Sequence, residues 1–91
     1  MGLINNNGTT IKGVFVKPSY AKITRLYLEN GNNATAYFGL SNSRENLENE
    51  EILDEVQFSC EINKIEDKIF NEVYTKAKAE IFSGWTDDIV K

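Results

Sequence analysis

Between Asp54 and Ile81 the apolar period changes once, from two residues to three or four, and that change restricts the fold more than any other feature. "DEVQFSCEIN" alternates strictly, with Val56, Phe58, Cys60 and Ile62 on one side and Gln57, Ser59 and Glu61 on the other. This is the pattern of a half-buried strand. Ile65, Ile69, Phe70, Val73, Ala77 and Ile81 then recur at helical spacing as one stripe. Asn63 is placed to cap that helix, with Glu66 three residues on as in a capping box. Gly84 stands where a left-handed residue would stop it. A strand and a helix that adjoin in sequence, each with one apolar face, are expected to cover each other.

Upstream, "NGNN" separates "YAKITRLYLEN" from "ATAYFGLS". Asn-Gly between two apolar runs signals a hairpin, because both residues tolerate positive φ. The second run alternates cleanly, Ala34, Ala36, Phe38 and Leu40 against Thr35, Tyr37 and Gly39. The first does not: Leu26 and Leu28 share one parity, Ala21, Ile23 and Tyr27 the other. Either both faces are partly covered or a bulge switches them. "TIKGVFV" reads as one short strand ended by Lys17-Pro18, since proline cannot donate to a ladder. The acidic "SNSRENLENEEIL" reads as a loop with at most a helical turn around Leu47 to Leu53. Asn-rich residues 1–9 read as a mobile arm, and 10–91 as a single domain. The expected fold is α+β: an antiparallel meander of about four strands, with one long helix from the C-terminal half packed on one face.

Ninety-one residues suffice for one modest core. No apolar run approaches the roughly 20 residues that cross a bilayer, so no membrane association is expected. The opening "MGLINNNGTT" has no signal-peptide pattern, and Asn6 stands where a myristoylation signal needs Ser or Thr. With one cysteine, Cys60, and no histidine, the usual transition-metal ligands and the commonest general acid–base are missing. Cys60 reads as a small core residue. The sequence therefore suggests no catalytic set, no cofactor, no metal ion and no small-molecule substrate.

Charge is unevenly divided. Through Arg44, five basic residues face one acid; from Glu45 onward, thirteen acids face five lysines, for a net charge of −4. An acidic chain is poorly suited to direct nucleic-acid binding, which rests on neutralising phosphates. Within one fold the two halves attract each other; between copies they would suit head-to-tail contacts. The run Glu45, Glu48, Glu50, Glu51, Asp54 and Glu55 reads as a solvated surface, or as an imitation of a phosphate backbone.

The lone tryptophan lies in "IFSGWTDDIVK", just past the expected helix stop. At about 100° per residue Phe82 falls away from the stripe of Ile65, Ile69, Val73 and Ala77. Two readings follow. Trp85 packs back on the last helical turn and closes the core, or Phe82 and Trp85 form an off-face aromatic pair for a partner, rimmed by Asp87 and Asp88. On the second reading Phe82, Trp85, Asp87 and Asp88 are the candidate partner-binding residues.

The order of features, with "YAKI" opening a strand, a hairpin, an alternating strand, "IFNEVYTKAK" and an aromatic-acidic ending, resembles small tail- and baseplate-associated proteins of tailed phages and prophages of Gram-positive bacteria. The resemblance covers roughly residues 14–90 and brings no catalytic residues with it. It implies a non-enzymatic virion or assembly component that contacts copies of itself, as a homo-oligomer, or other virion proteins. Its location would then be the virion, otherwise the cytoplasm. A competing expectation is a small acidic inhibitor that binds a host nucleic-acid enzyme by phosphate mimicry.

Overall fold

The computed structural model describes residues 2–29, 32–49, 51–62 and 69–88. The fold is α+β, with seven strands and two short helices among the described residues: β1 (Gly2–Asn5), β2 (Thr9–Ile11), β3 (Val14–Val16), β4 (Ser19–Leu28), β5 (Asn33–Ser41), α1 (Arg44–Glu48), β6 (Asp54–Glu61), α2 (Ile69–Ala79) and β7 (Thr86–Asp88). Five strands form one antiparallel sheet in the order β6-β5-β4-β1-β7, and β2 and β3 form a separate hairpin. The expected count of four strands and the single long helix are both corrected. "TIKGVFV" is two strands rather than one, because Lys12 and Gly13 both take positive φ (49° and 80°), as a two-residue hairpin turn requires.

The largest correction concerns the expected arm. Residues 2–5 form an interior strand, with Leu3 opposite Ala21 of β4 and Asp87 of β7. Leu3 is fully buried. Asn5, Asn7 and Gly8 close a turn through a side-chain acceptor, Asn7 N–H donating to Asn5 Oδ1 at 3.0 Å. The Ser19 hydroxyl then ties β2 to the sheet, accepting from Thr9 N–H (3.0 Å) and donating to Val16 C=O (2.6 Å). The asparagines serve turns here; their composition alone suggests disorder.

β4 and β5 pair along their length, with a register shift between Ile23 and Arg25. The bulge explains the broken parity of β4. One extra residue flips the alternation, so that Ala21, Ile23, Leu26 and Leu28 lie opposite Leu40, Phe38, Ala36 and Ala34 on one face. β6 continues that face with Val56, Phe58 and Cys60 opposite Phe38, Ala36 and Ala34. The turn residues Asn30 and Gly31 lie outside the described residues, as do Asn63, Ile65 and Glu66. The hairpin closes beside them with Glu29 N–H on Asn33 C=O at 2.9 Å.

Helix α2 covers the apolar face with Ile69, Val73, Tyr74 and Ala77. Ile11 and Val16 of the small hairpin complete the cover, all in one core cluster with Leu3, Phe38 and Phe58. Phe70 (53% exposed) and Ile81 (43%) were expected in the stripe and are outside it, while Tyr74 takes a place in it. α2 stops at Ala79, and a turn follows in which Phe82 N–H reaches Ala77 C=O at 2.8 Å. Beyond Ala79 the helical projection no longer applies, which carries Ile81 outward and Phe82 inward. The opposite face is polar except where α1 and its following loop sit on Gly39. A Cβ there would lie 2.8 Å from Ile52 Cγ2 and 2.9 Å from Thr24 Cγ2, so only glycine admits this packing.

Leu3→Ala is the sharpest check on the interior position of β1. It should cost about 2–5 kcal/mol, as truncation of a buried leucine does. Urea denaturation measures this; a mobile arm would show no change.

Candidate protein–protein contact site

Phe82 and Trp85 are buried within the chain, at 4% and 9% exposure. Phe82 stacks edge-on to Phe38 (centroids 4.9 Å apart) and tilts against Trp85 at 4.8 Å. Phe58 and Tyr74 also meet Phe38, at 6.5 and 5.6 Å. Such aromatic pairs add to the gain from burial itself. The expectation that Phe82 is dispensable to the core is corrected, and the core-closing reading accounts for Trp85. The acids of the same candidate set are engaged in the fold. Asp87 Oδ1 accepts from Lys78 Nζ at 2.7 Å, and Asp88 pairs with Gly2 at the backbone.

A different surface stands out. β6 is the last strand of the sheet among the described residues. Its phase follows from one hydrogen bond: Ile62 N–H reaches Asn32 C=O on the β5 side at 2.6 Å. Hydrogen-bonded and non-hydrogen-bonded pairs alternate along an antiparallel ladder, so even-numbered β6 residues direct their backbone groups at β5. Glu55, Gln57, Ser59 and Glu61 direct theirs outward. Both ends of this outward row are stoppered. Asp54 Oδ1 accepts from Glu55 N–H at 2.8 Å, and Lys76 Nζ donates to Glu61 C=O. Between them, Gln57 and Ser59 meet no partner on that side among the described residues.

The side chains of the outward residues stand on the helix-free face, where Glu55 is neutralised by a cation. Glu55 Oε1 accepts from Arg25 Nη2 at 2.7 Å. The Thr24 hydroxyl, supplied by the β4 bulge, lies 3.3 Å from Glu55 Oε2 and 3.1 Å from Tyr37 C=O, with one proton to donate. Arg25 also lies over the Tyr37 ring, 4.3 Å from its centroid, and its hydrogen bond to Glu55 raises its pKa. Ser59 Oγ lies 3.0 Å from Thr35 Oγ1, which donates onward to Glu29. On the helix side, half-buried Val56 and Cys60 flank Phe58. Burial pushes the Cys60 thiol pKa up, with Lys76 opposing and Glu72 and Glu80 adding. Ser59, Cys60, Glu61, Lys76, Ala79 and Glu80 line an open groove of about 500 Å³ between β6 and α2.

Among the described residues no three or more Cys, Asp or Glu side chains gather as metal ligands, and no helix is long and apolar enough to cross a membrane. The acidic run expected as a single surface is divided, Asp54 facing Lys12 at 3.8 Å and Glu55 facing Arg25. Comparison with protein families, with curated proteins and with solved structures finds no match to this chain. The alternation of β6 was legible in the sequence; its place at the sheet edge was not, because edge position depends on which strands lie beyond it.

Two substitutions check this account of the interior. Trp85→Ala should lower stability by about 3–5 kcal/mol, read from the denaturation midpoint. Tyr74→Phe should cost about 1–3 kcal/mol, because it strips the acceptor from the buried Ile23 N–H (2.8 Å). Burial raises the Tyr74 pKa, opposed by the Ile23 hydrogen bond. A phenol raised in the fold stabilises fully below its unfolded value of about 10 and loses that contribution as pH rises above it. Tyr74→Phe should therefore be less stable at neutral pH yet show a shallower decline above about pH 10.

Proposed function

We propose that this chain is a non-enzymatic interaction protein whose working surface is the outer edge of β6. Its proposed setting is the tail or baseplate of a phage, as a virion or assembly component bound to copies of itself or to neighbouring particle proteins. One observation carries the reading: an eight-residue edge strand whose central backbone groups meet no partner among the described residues. Edge strands in soluble proteins are normally guarded by lysine, proline, a bulge or short length, because an open edge recruits other strands. β6 has neither lysine nor proline, and its register with β5 is unbroken from Asp54 to Glu61. Strand addition is a common mode of protein recognition in which main-chain bonds supply affinity. The phage setting rests on the sequence resemblance.

Phosphate mimicry draws less support. It needs a continuous array of available carboxylates, and Asp54 and Glu55 are paired with Lys12 and Arg25 inside the chain.

Gln57→Pro tests the reading directly. The Gln57 N–H points away from β5, so a proline there removes an outward donor and leaves the β5 ladder its bonds. The variant should keep its far-ultraviolet circular dichroism and lose incorporation into particles, followed by mass spectrometry of purified virions from a phage source. Normal incorporation of a folded Gln57→Pro chain would remove β6 as the working surface.

A further inference from the structure

We propose that the partner on β6 is a second copy of this chain, joined about a twofold axis at Phe58 so that two five-stranded sheets become one of ten strands. This rests on the reading of β6 as the contact surface and names its occupant. The argument is a hydrogen-bond account. Among the described residues the outward groups of β6 without partners are Glu55 C=O, Gln57 N–H and C=O, Ser59 N–H and C=O, and Glu61 N–H; Glu55 N–H and Glu61 C=O are held by Asp54 and Lys76. An open row of this kind is a template for a further strand. An antiparallel copy centred on Phe58 sets Gln57 opposite Ser59 and Glu55 opposite Glu61 of the partner subunit. In that register each open donor meets an open acceptor. Glu61 N–H donates to Glu55 C=O of the partner subunit, and Gln57 and Ser59 exchange both bonds. The two groups left outside the ladder are the two already stoppered.

The side chains agree with the same register. On the helix side, Phe58 meets its own copy and half-buried Val56 meets half-buried Cys60, so the incompletely covered apolar row closes. On the other face Gln57 lies beside Ser59 of the partner subunit. Glu55 lies beside Glu61 of the partner subunit, and the Glu55 carboxylate brings its own cation to that pair. Arg25 is bonded to Glu55 at 2.7 Å. The groove between β6 and α2 lies along the same edge. An isologous contact of this kind closes on itself as a dimer. Sliding the copy to a centre at Gln57 would set Cys60 opposite Asp54 and leave both Glu61 N–H groups without partners.

Cysteine cross-linking reads the register. In an antiparallel non-hydrogen-bonded pair the Cα atoms lie about 4.5 Å apart, within disulfide reach. Val56→Cys, with native Cys60 retained, should give a covalent dimer on mild oxidation, seen on a non-reducing gel. Wild type and the double variant Val56→Cys/Cys60→Ser should not, since their like cysteines would stand about 13 Å apart along the strands and the disulfide limit is about 7 Å. By sedimentation the wild type should be dimeric, and Gln57→Pro should weaken the dimer about 10- to 100-fold through two lost bonds. A monomeric wild type with no Val56→Cys cross-link would overturn the twofold pairing. If Gln57→Pro still abolished particle incorporation in that case, β6 would bind a different protein and the proposed function would stand. A cross-link from Asp54→Cys to Cys60 in place of Val56→Cys would overturn the register.

Discussion

The hydrogen bond from Ile23 N–H to the Tyr74 hydroxyl, 2.8 Å long, joins the parts of this fold that depend on one another. Among the described residues β1 pairs with β4 as far as Ala21, and the next outward donor on β4 is the Ile23 N–H. Tyr74 satisfies it from the helix and thereby fixes α2 against the sheet. The β4 bulge begins at the same place. It restores Leu26 and Leu28 to the apolar face and delivers Thr24 to the other, beside Gly39, Tyr37 C=O and Glu55. One irregularity in β4 therefore sets the helix position on one side of the sheet and the Glu55 environment on the other.

From that anchor the aromatic cluster follows. Tyr74 brings its ring to Phe38, which also receives Phe58 from the neighbouring strand and Phe82 from the turn after α2. Trp85 closes on Phe82 and leads into β7, which pairs with β1. The first and last described strands thus meet at one side of the sheet, and the core is assembled from residues far apart in sequence. The C-terminal segment is part of the core despite its polar composition. Lys78 bonded to Asp87 spans the same turn at the surface, where a half-exposed ion pair adds little energy but matches the helix's C-terminal polarity.

What was legible in the sequence is what depended on neighbours along the chain. β5 and β6 alternate strictly, so their faces follow from parity, and the pairing of β4 with β5 follows from the Asn-Gly signal between them; the Lys12-Gly13 turn inside "TIKGVFV" was not legible, because three-residue strands on either side show no period. β1 was illegible because "GLIN" is too short to show a period and its two partners begin at Ser19 and Thr86. The parity of β4 was ambiguous because a bulge leaves no residue signature that separates it from a two-sided strand. Tyr74 sits about 100° from Val73 on the helix, at the margin of the stripe, and its burial depends on a backbone donor in another strand. Phe82 projects off the stripe only if helical geometry continues past Ala79, where α2 in fact ends. For the contact surface, alternation showed which β6 residues face outward, while its place at the sheet edge required the three-dimensional strand order.

The two edges of the sheet are unequal, and the inequality has a physical cause. Among the described residues β7 is three residues long, and a strand that short offers too few outward groups to recruit a partner. β6 has eight residues and is stoppered at its ends, by Asp54 and by Lys76. Lys76 belongs to α2, close to Glu72 at 3.3 Å and one turn from the buried Val73. Its ammonium can reach the Glu61 carbonyl only while α2 lies where Tyr74 and the aromatic cluster hold it. The helix that closes the core therefore also limits how far the open edge extends. Core packing and the length of the contact surface are coupled through one side chain, so a change that shifts α2 alters both the stability of the fold and the number of strand groups available to a partner.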